Sequence, residues 1–307
     1  MALIETLQKL KDFEKSQVYP SKIRVIPNDK ATNKFFNKSQ DVYQRLLDGK
    51  KNILVEKKAT KKKPEVCSYL TIVSAPAGKE PPTEFDRAVL SVCISEWIEG
   101  NKITTPAIIL RALIGKVAEV GVKLRPDQKA AINDSIDKML GTVIKLDLRE
   151  LLKEFNYDEG DHIKILQSAV LPCCRVEAVI NGQEVDAVIF TSESPFFSVA
   201  ELKSQFVRFD NSLLDVPNQN NTPRIIALKN YVLLRVMVIK KHKQLQPVLT
   251  FDDIFKKARI EDKHGEIKKR ARENILQFLE HLQAQGVISA FEIVKKHNAF
   301  YSIKFCF

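Results

Sequence analysis

The sequence predicts an α+β chain, mainly helical, in which one order of elements occurs twice: a helix, a short strand, two more helices and a β-hairpin. Three observations carry that prediction. Apolar residues recur at helical spacing between Pro, Gly and capping residues; short strand-like runs flank turn residues at Asn181-Gly182 and His297-Asn298; and the last third of the chain repeats the order of the middle. At 307 residues, 44% hydrophobic and 28% charged, the chain is long enough for two cores and too apolar for wholesale disorder.

From the start of the chain, Leu3, Leu7, Leu10 and Phe13 stand at helical spacing and predict an amphipathic helix over residues 2–16. The run Lys57-Lys58-Ala59-Thr60-Lys61-Lys62-Lys63-Pro64 and the stretch Pro76 to Pro82 are loop signals, which put a boundary near residue 80. Residues 1–79 are therefore expected to form a basic N-terminal extension, with 23–26 and 53–56 open between strand and loop. Past Pro82, Thr83 caps a helix with Phe85, Val89, Leu90, Cys93, Ile94 and Trp97 at helical spacing, stopped at Gly100-Asn101. After the strand-like Lys102-Ile103-Thr104, Thr105-Pro106 supplies an N-cap and first-turn proline for a helix ended by Gly115. A third helix runs from near Pro126 to Leu140. Its core stripe is read as Ile132, Ile136, Met139 and Leu140, which leaves Gln128, Ala131, Ser135 and Lys138 on the opposite side. Thr142 to Leu148 alternates as a strand, a short helix is expected around Leu151, and Asn181-Gly182 joins two β-rich runs, 174–180 and 183–190.

The second series opens with Thr222-Pro223 and a long, mostly apolar helix through about Lys241. Pro247-Val248-Leu249 is an extended link, Thr250 caps Phe251 to Ala258, and Asp262 to Gly265 leads into a helix with Ile267, Ala271, Ile275, Phe278, Leu279 and Leu282 as its core face. Gly286 ends that helix, and 287–296 and 299–306 make the second hairpin. This order is that of a winged helix, whose third helix and hairpin wing face DNA. Two tandem winged-helix domains are expected, one over 80–205 and one over 206–307. The halves share architecture and no evident motif.

Charge is segregated along the chain. The net balance is +8 over residues 1–66, −6 over 67–222 and +9 over 223–307, within a total of +11. Positive blocks flanking an acidic middle indicate a polyanionic partner. In the second unit, once Ile267, Ala271 and Ile275 face the core, Lys268, Lys269, Arg270 and Arg272 remain outside, and Lys295, Lys296 and Lys304 make the hairpin basic. Arginine forks recognise guanine and lysines hold phosphate, so Arg272 is the expected base reader and Lys269 a phosphate contact. In the first unit Arg125, Gln128, Lys129, Asn133 and Lys138 are candidates, opposed by Asp127, Asp134 and Asp137; that unit either touches DNA weakly or serves self-association.

The opening Thr83-Glu84-Phe85-Asp86-Arg87-Ala88-Val89-Leu90, followed by two winged helices of which the second is the more basic, resembles the plasmid replication initiators that bind repeated origin sequences called iterons. The likeness spans roughly residues 80–307. It implies that the C-terminal winged helix makes the main contact with double-stranded DNA and the N-terminal one supports a homodimer and a secondary contact. The basic N-terminal segment and the stretch Thr142 to Lys164 depart from that pattern and leave open a phage or mobile-element relative with a different job. A helicase or its loader is a further expected partner. Two other functions stay open: a transcriptional regulator with the same two reading helices, and a non-catalytic replisome protein whose winged helices bind proteins.

No enzyme is expected. Gly78-Lys79-Glu80 lacks the upstream glycine and the hydroxyl of a phosphate loop. His162, His242, His264, His281 and His297 are scattered, unlike the clustered histidines of a metal-dependent nickase. Asp252-Asp253 suits the first turn of a helix through its dipole, and Ser192 and Ser194 have no nearby histidine signature. Cys67, Cys93, Cys173, Cys174 and Cys306 are odd in number without CxxC spacing, which argues for reduced packing residues and against zinc. No cofactor is expected. The apolar run Tyr231 to Ile239 is short of the ~20 residues of a membrane span and broken by Arg235. No basic-then-apolar leader opens the sequence, so a cytoplasmic protein is expected.

Overall fold

The computed structural model describes residues 3–15, 18–47, 53–57, 67–119, 121–149, 165–242, 246–260, 265–297 and 299–307. In chain order the elements are α1 (Leu3–Lys15), β1 (Ile23–Pro27), α2 (Lys30–Leu47), β2 (Ile53–Lys57), β3 (Cys67–Ser74), α3 (Glu84–Ile98), β4 (Ile103–Thr104), α4 (Pro106–Ile114) and α5 (Pro126–Gly141). They continue with β5 (Val143–Asp147), β6 (Ile165–Ala169), β7 (Cys173–Ile180), β8 (Gln183–Phe190), α6 (Pro195–Leu202) and β9 (Phe206–Asp210). A 3-10 turn, Asn211–Leu214, leads to α7 (Pro223–Lys241), β10 (Val248–Thr250), α8 (Phe251–Lys257), α9 (Gly265–Ala284), β11 (Ala290–Lys296) and β12 (Ala299–Cys306). The fold is α+β with small antiparallel sheets. The helix expected around Leu151, most of the lysine run and residues 262–264 lie outside the described residues. Among the described residues no helix is long and apolar enough to cross a membrane.

The repeated order has a matching topology. In the first unit the short strand β4 pairs with β8, and the sheet runs β4-β8-β7; in the second, β10 pairs with β12, and the sheet runs β10-β12-β11. Local chemistry places the helices as the sequence indicates. Thr83 Oγ1 accepts from Asp86 N while the Asp86 carboxylate accepts from Thr83 N at 2.6 Å, a capping box that starts α3. Thr105, Thr222 and Thr250 likewise accept from backbone amides at the starts of α4, α7 and α8. Asn181 and Gly182 both adopt positive φ (53° and 79°), the backbone that lets a two-residue turn match strand twist. Cys173 is buried and Cys174 exposed, as alternation along β7 requires.

The segment 1–79 departs from the expected extension, because its strands are built into the body. β1 pairs antiparallel with β9, from Ile23 opposite Asp210 to Pro27 opposite Phe206. β3 pairs with β5, so β2-β3-β5-β6 forms a four-stranded sheet around the stretch that follows α5. Helix α1 drops Leu10, fully buried, onto Ile180, Ala187 and Ile189 of the first hairpin, and α2 sends Phe35 and Phe36 into the first core beside Phe196. Unpaired strand edges and bare apolar faces are costly, and the N-terminal segment covers both.

The two units are packed together. α7 is buried nearly all round, as suits a helix with apolar residues on every side. Between α3, α4 and α7 lies Arg24, fully buried: Nη1 donates to Ser91 Oγ (3.1 Å) and Asn230 Oδ1 (3.1 Å), and Nη2 to the Ala112 carbonyl (2.8 Å). Gly115, at φ 86°, ends α4 directly against the 3-10 turn; a Cβ there would fall 2.3 Å from the backbone N of Asp215. Only glycine supports that backbone and that approach together.

Candidate nucleic-acid interface

Helix α9 presents two faces. Ala271, Ile275, Phe278, Leu279 and Leu282 are buried, so the helical repeat turns Lys269 and Arg270 to solvent and leaves Lys268 and Arg272 half-buried. Arg270 pairs with Glu266 at 3.5 Å with both side chains largely exposed; such a pair is weak and yields to a stronger anion.

The hairpin β11–β12 brings its cations to the same place. Lys295 sits at a register shift following Val294 and opposite Phe300. Its Nζ lies 5.4 Å from the Phe300 ring centroid, and the Arg272 guanidinium from α9 lies 5.4 Å from that same centroid. Phe300 is itself fixed edge-on against Phe251, the first residue of α8, at 5.8 Å. One ring, anchored in the second core, thus holds a cation from the helix and one from the hairpin side by side. Lys296 stands 5.6 Å from the Tyr301 ring, and Lys296 and Lys304 are exposed. Of the six sequence-predicted cations Lys268, Lys269, Arg270, Arg272, Lys295 and Lys296, the fold brings Arg272 of the helix and Lys295 of the hairpin together over one ring. Two oxygens of a phosphate or a guanine edge would meet arranged donors there.

In the first unit two of the predicted residues, Gln128 and Lys138, are drawn inward, while Arg125 and Lys129 stay exposed and are paired with acidic neighbours. Gln128 is buried; its Oε1 accepts from Arg125 N at 3.1 Å and its Nε2 donates to the Asn221 carbonyl at 2.7 Å. Lys138 is also buried, 2.8 Å from Asp134 and 3.9 Å from Asp86. Neither lies on an outward face, which corrects the assignment made from the apolar stripe, and Ser135 is buried with them. Arg125 is engaged by Asp127 at 3.1 Å and by Asn220 Oδ1, and Lys129 by Asp186 at 3.3 Å. Asn133 Nδ2 donates to the same Asp186 at 2.8 Å, and Arg175 reaches Asp186, Asp137 and Glu177. Burial pushes the Asp186 carboxyl up, yet the hydrogen bonds from Asn133 and Arg175 and the nearby cations outweigh it and hold it below the ordinary range. The face is a closed network of opposite charges, which a polyanion would have to break.

Phe300 and Tyr301 were missed at the sequence level. Their signal is a pair of aromatics next to the turn of a lysine-bearing hairpin, which ordinary strand composition also explains. The chain finds no match among protein-family models, curated proteins or solved structures.

Proposed function

We propose that the two units are winged helices and that the chain binds double-stranded DNA by sequence, as the replication initiator of a plasmid or mobile element that recognises origin repeats mainly through its second unit. The observation that carries this reading is the meeting of Arg272 and Lys295 over Phe300, with Lys268, Lys269 and Arg270 in the same turns of α9 and Lys296 next to Lys295 on the hairpin. The strand orders β4-β8-β7 and β10-β12-β11 support the winged-helix reading, because in each unit the short strand closes onto the second hairpin strand. The internally paired face of the first unit supports self-association as its role, and a helicase or its loader is the partner that initiation requires. The protein acts in this reading as a cytoplasmic binder with no catalytic group and no cofactor.

Selection of bound duplexes from a random DNA pool tests it, run on the parent and on a variant with Lys268, Lys269, Arg270 and Arg272 changed to alanine. A defined motif is expected with the parent and its loss with the variant; direct repeats of the motif near an origin mark an initiator, and an inverted pair over a promoter a regulator. Equal binding of bulk DNA by both proteins, with no motif, would remove DNA reading and favour a protein-binding role.

A further inference from the structure

Where the two units meet, a cleft of about 310 Å³ is lined by Asn37, Arg87, Tyr231, Arg235 and Lys257, with Glu84 at its side. Three cations from three helices, Arg87 on α3, Arg235 on α7 and Lys257 on α8, share that one lining carboxylate. Glu84 stands 4.0 Å from Arg87 Nη1 and 3.5 Å from Lys257 Nζ, long ion-pair distances, and Lys257 Nζ donates to Asn37 Oδ1. Arg87 is buried; its Nη2 donates to the Pro27 carbonyl and to Asn33 Oδ1, and its Nε has no acceptor. Arg235 is half-buried and has no hydrogen-bond or ion-pair partner among the described residues.

Uncompensated positive charge in a cleft is costly, and the chain places two arginines there close enough to oppose one another. Burial lowers the basicity of Arg87, Glu84 and Asp29 counter that, and Arg235 adds to the lowering. Burial also raises the Tyr231 pKa to about 12, so its hydroxyl is a neutral donor at physiological pH. A larger cleft, of about 660 Å³ between α6 and α7, is a poorer candidate: its Lys240 and Lys241 both already donate to the Val287 and Phe206 carbonyls and Glu201 lines it with them, whereas the smaller cleft holds Arg235. Arginine forks with a lysine and a hydroxyl donor suit a phosphate dianion, and the volume is at the lower end of ligand pockets, enough for a small ester and too little for a polymer.

We propose that this cleft binds the dianionic phosphate group of a small molecule, held by Arg87, Arg235 and Lys257, and that its occupancy clamps the two units together. Binding stands independently of the DNA reading proposed above; only its consequence for DNA affinity rests on that reading.

The test uses the full chain without DNA, by titration calorimetry and thermal denaturation at constant ionic strength, with inorganic phosphate and adenosine monophosphate as probes. Saturable binding and a ligand-dependent rise in Tm are expected, because a ligand of the folded state alone stabilises it. Arg235→Gln is expected to weaken binding about ten-fold or more, Arg235→Lys to fall between, and Lys123→Ala, at an exposed position between α4 and α5, to bind like the parent. Tighter binding of the nucleotide means that the ester body is also recognised; equal binding means that the phosphate alone is, and both support the site. Absence of saturable binding to the parent, or parent-like affinity in both Arg235 variants, overturns it.

Discussion

Lys229 and Arg24, both inside the protein, donate to carbonyls, amides and a hydroxyl in place of carboxylates. Lys229 Nζ donates to the Leu214 carbonyl and to Asn221 Oδ1, both at 2.8 Å, and burial drives its pKa down to about 8. Two acceptors suit a neutral amine, which keeps two N–H bonds, so losing the proton costs no hydrogen bond there. With the folded pKa below the unfolded value, the unfolded chain binds more protons between about pH 8 and pH 10.5. Stability from this group therefore rises with pH across that window, by at most on the order of 1 kcal/mol per pH unit. Urea unfolding near about pH 7.5 and about pH 9.5 should show the parent gaining on Lys229→Met; an unchanged difference between the two proteins would mean that Lys229 keeps its proton in the folded state across that range. Arg24 is the second such cation, lowered by burial to about 9.

At this scale sequence reasoning erred where a polar residue took a core position. Gln128, Ile132, Ser135, Ile136 and Met139 share one helical stripe by spacing, and counting apolar residues alone assigned Gln128 and Ser135 to the wrong side. Their burial depends on acceptors from distant parts of the chain, such as the Asn221 carbonyl. Arg235 did leave a trace, as the charge interrupting an otherwise apolar run, but its neighbours Arg87 and Lys257 lie far off in sequence.

At the level of elements, α1 and the first hairpin hold each other through a satellite core of Leu10, Ile180, Ala187 and Ile189. Leu10→Ala should cost about 2–5 kcal/mol locally, within the range for a buried leucine. Hydrogen exchange should then accelerate over residues 3–15 and 173–190 while α7 and α9 keep their protection; uniform acceleration would mean that α1 supports the whole fold. Elements defined by short-range chemistry, such as the Thr-capped helices and the Asn-Gly hairpin, were legible in the sequence. Pairings were not: nothing near Ile23 indicates Asp210, and nothing near Cys67 indicates the strand after α5, because register is set by partners brought close only on folding. For the same reason the basic half of α9 was found as a composition, whereas its meeting with Lys295 over Phe300 required the tertiary fold.

Over the whole molecule, the second unit is not separable at residue 206. Ile26 from β1 packs in the same core as Val207, Phe209 and the residues of α7 and α9, and Arg259 reaches back to Glu80 and to the Pro81 carbonyl. A fragment of residues 206–307 exposes Val207 and Phe209 and leaves β9 without its partner, so it should melt well below the parent. Circular dichroism measures this, and a cooperative melt at the parent's temperature would show that β1 and the first unit contribute little to it.

The β1–β9 pairing also has a consequence in time. Pro27 pairs with Phe206, 179 positions further along, so a ribosome adding about 5–20 residues per second needs roughly 10–35 s to deliver the partner strand. Throughout that interval β1 waits with its hydrogen-bonding edge open and Val25 and Ile26, both buried in the finished protein, uncovered. The nascent chain is thus most exposed to mispairing during its own synthesis, and slower translation lengthens that exposure.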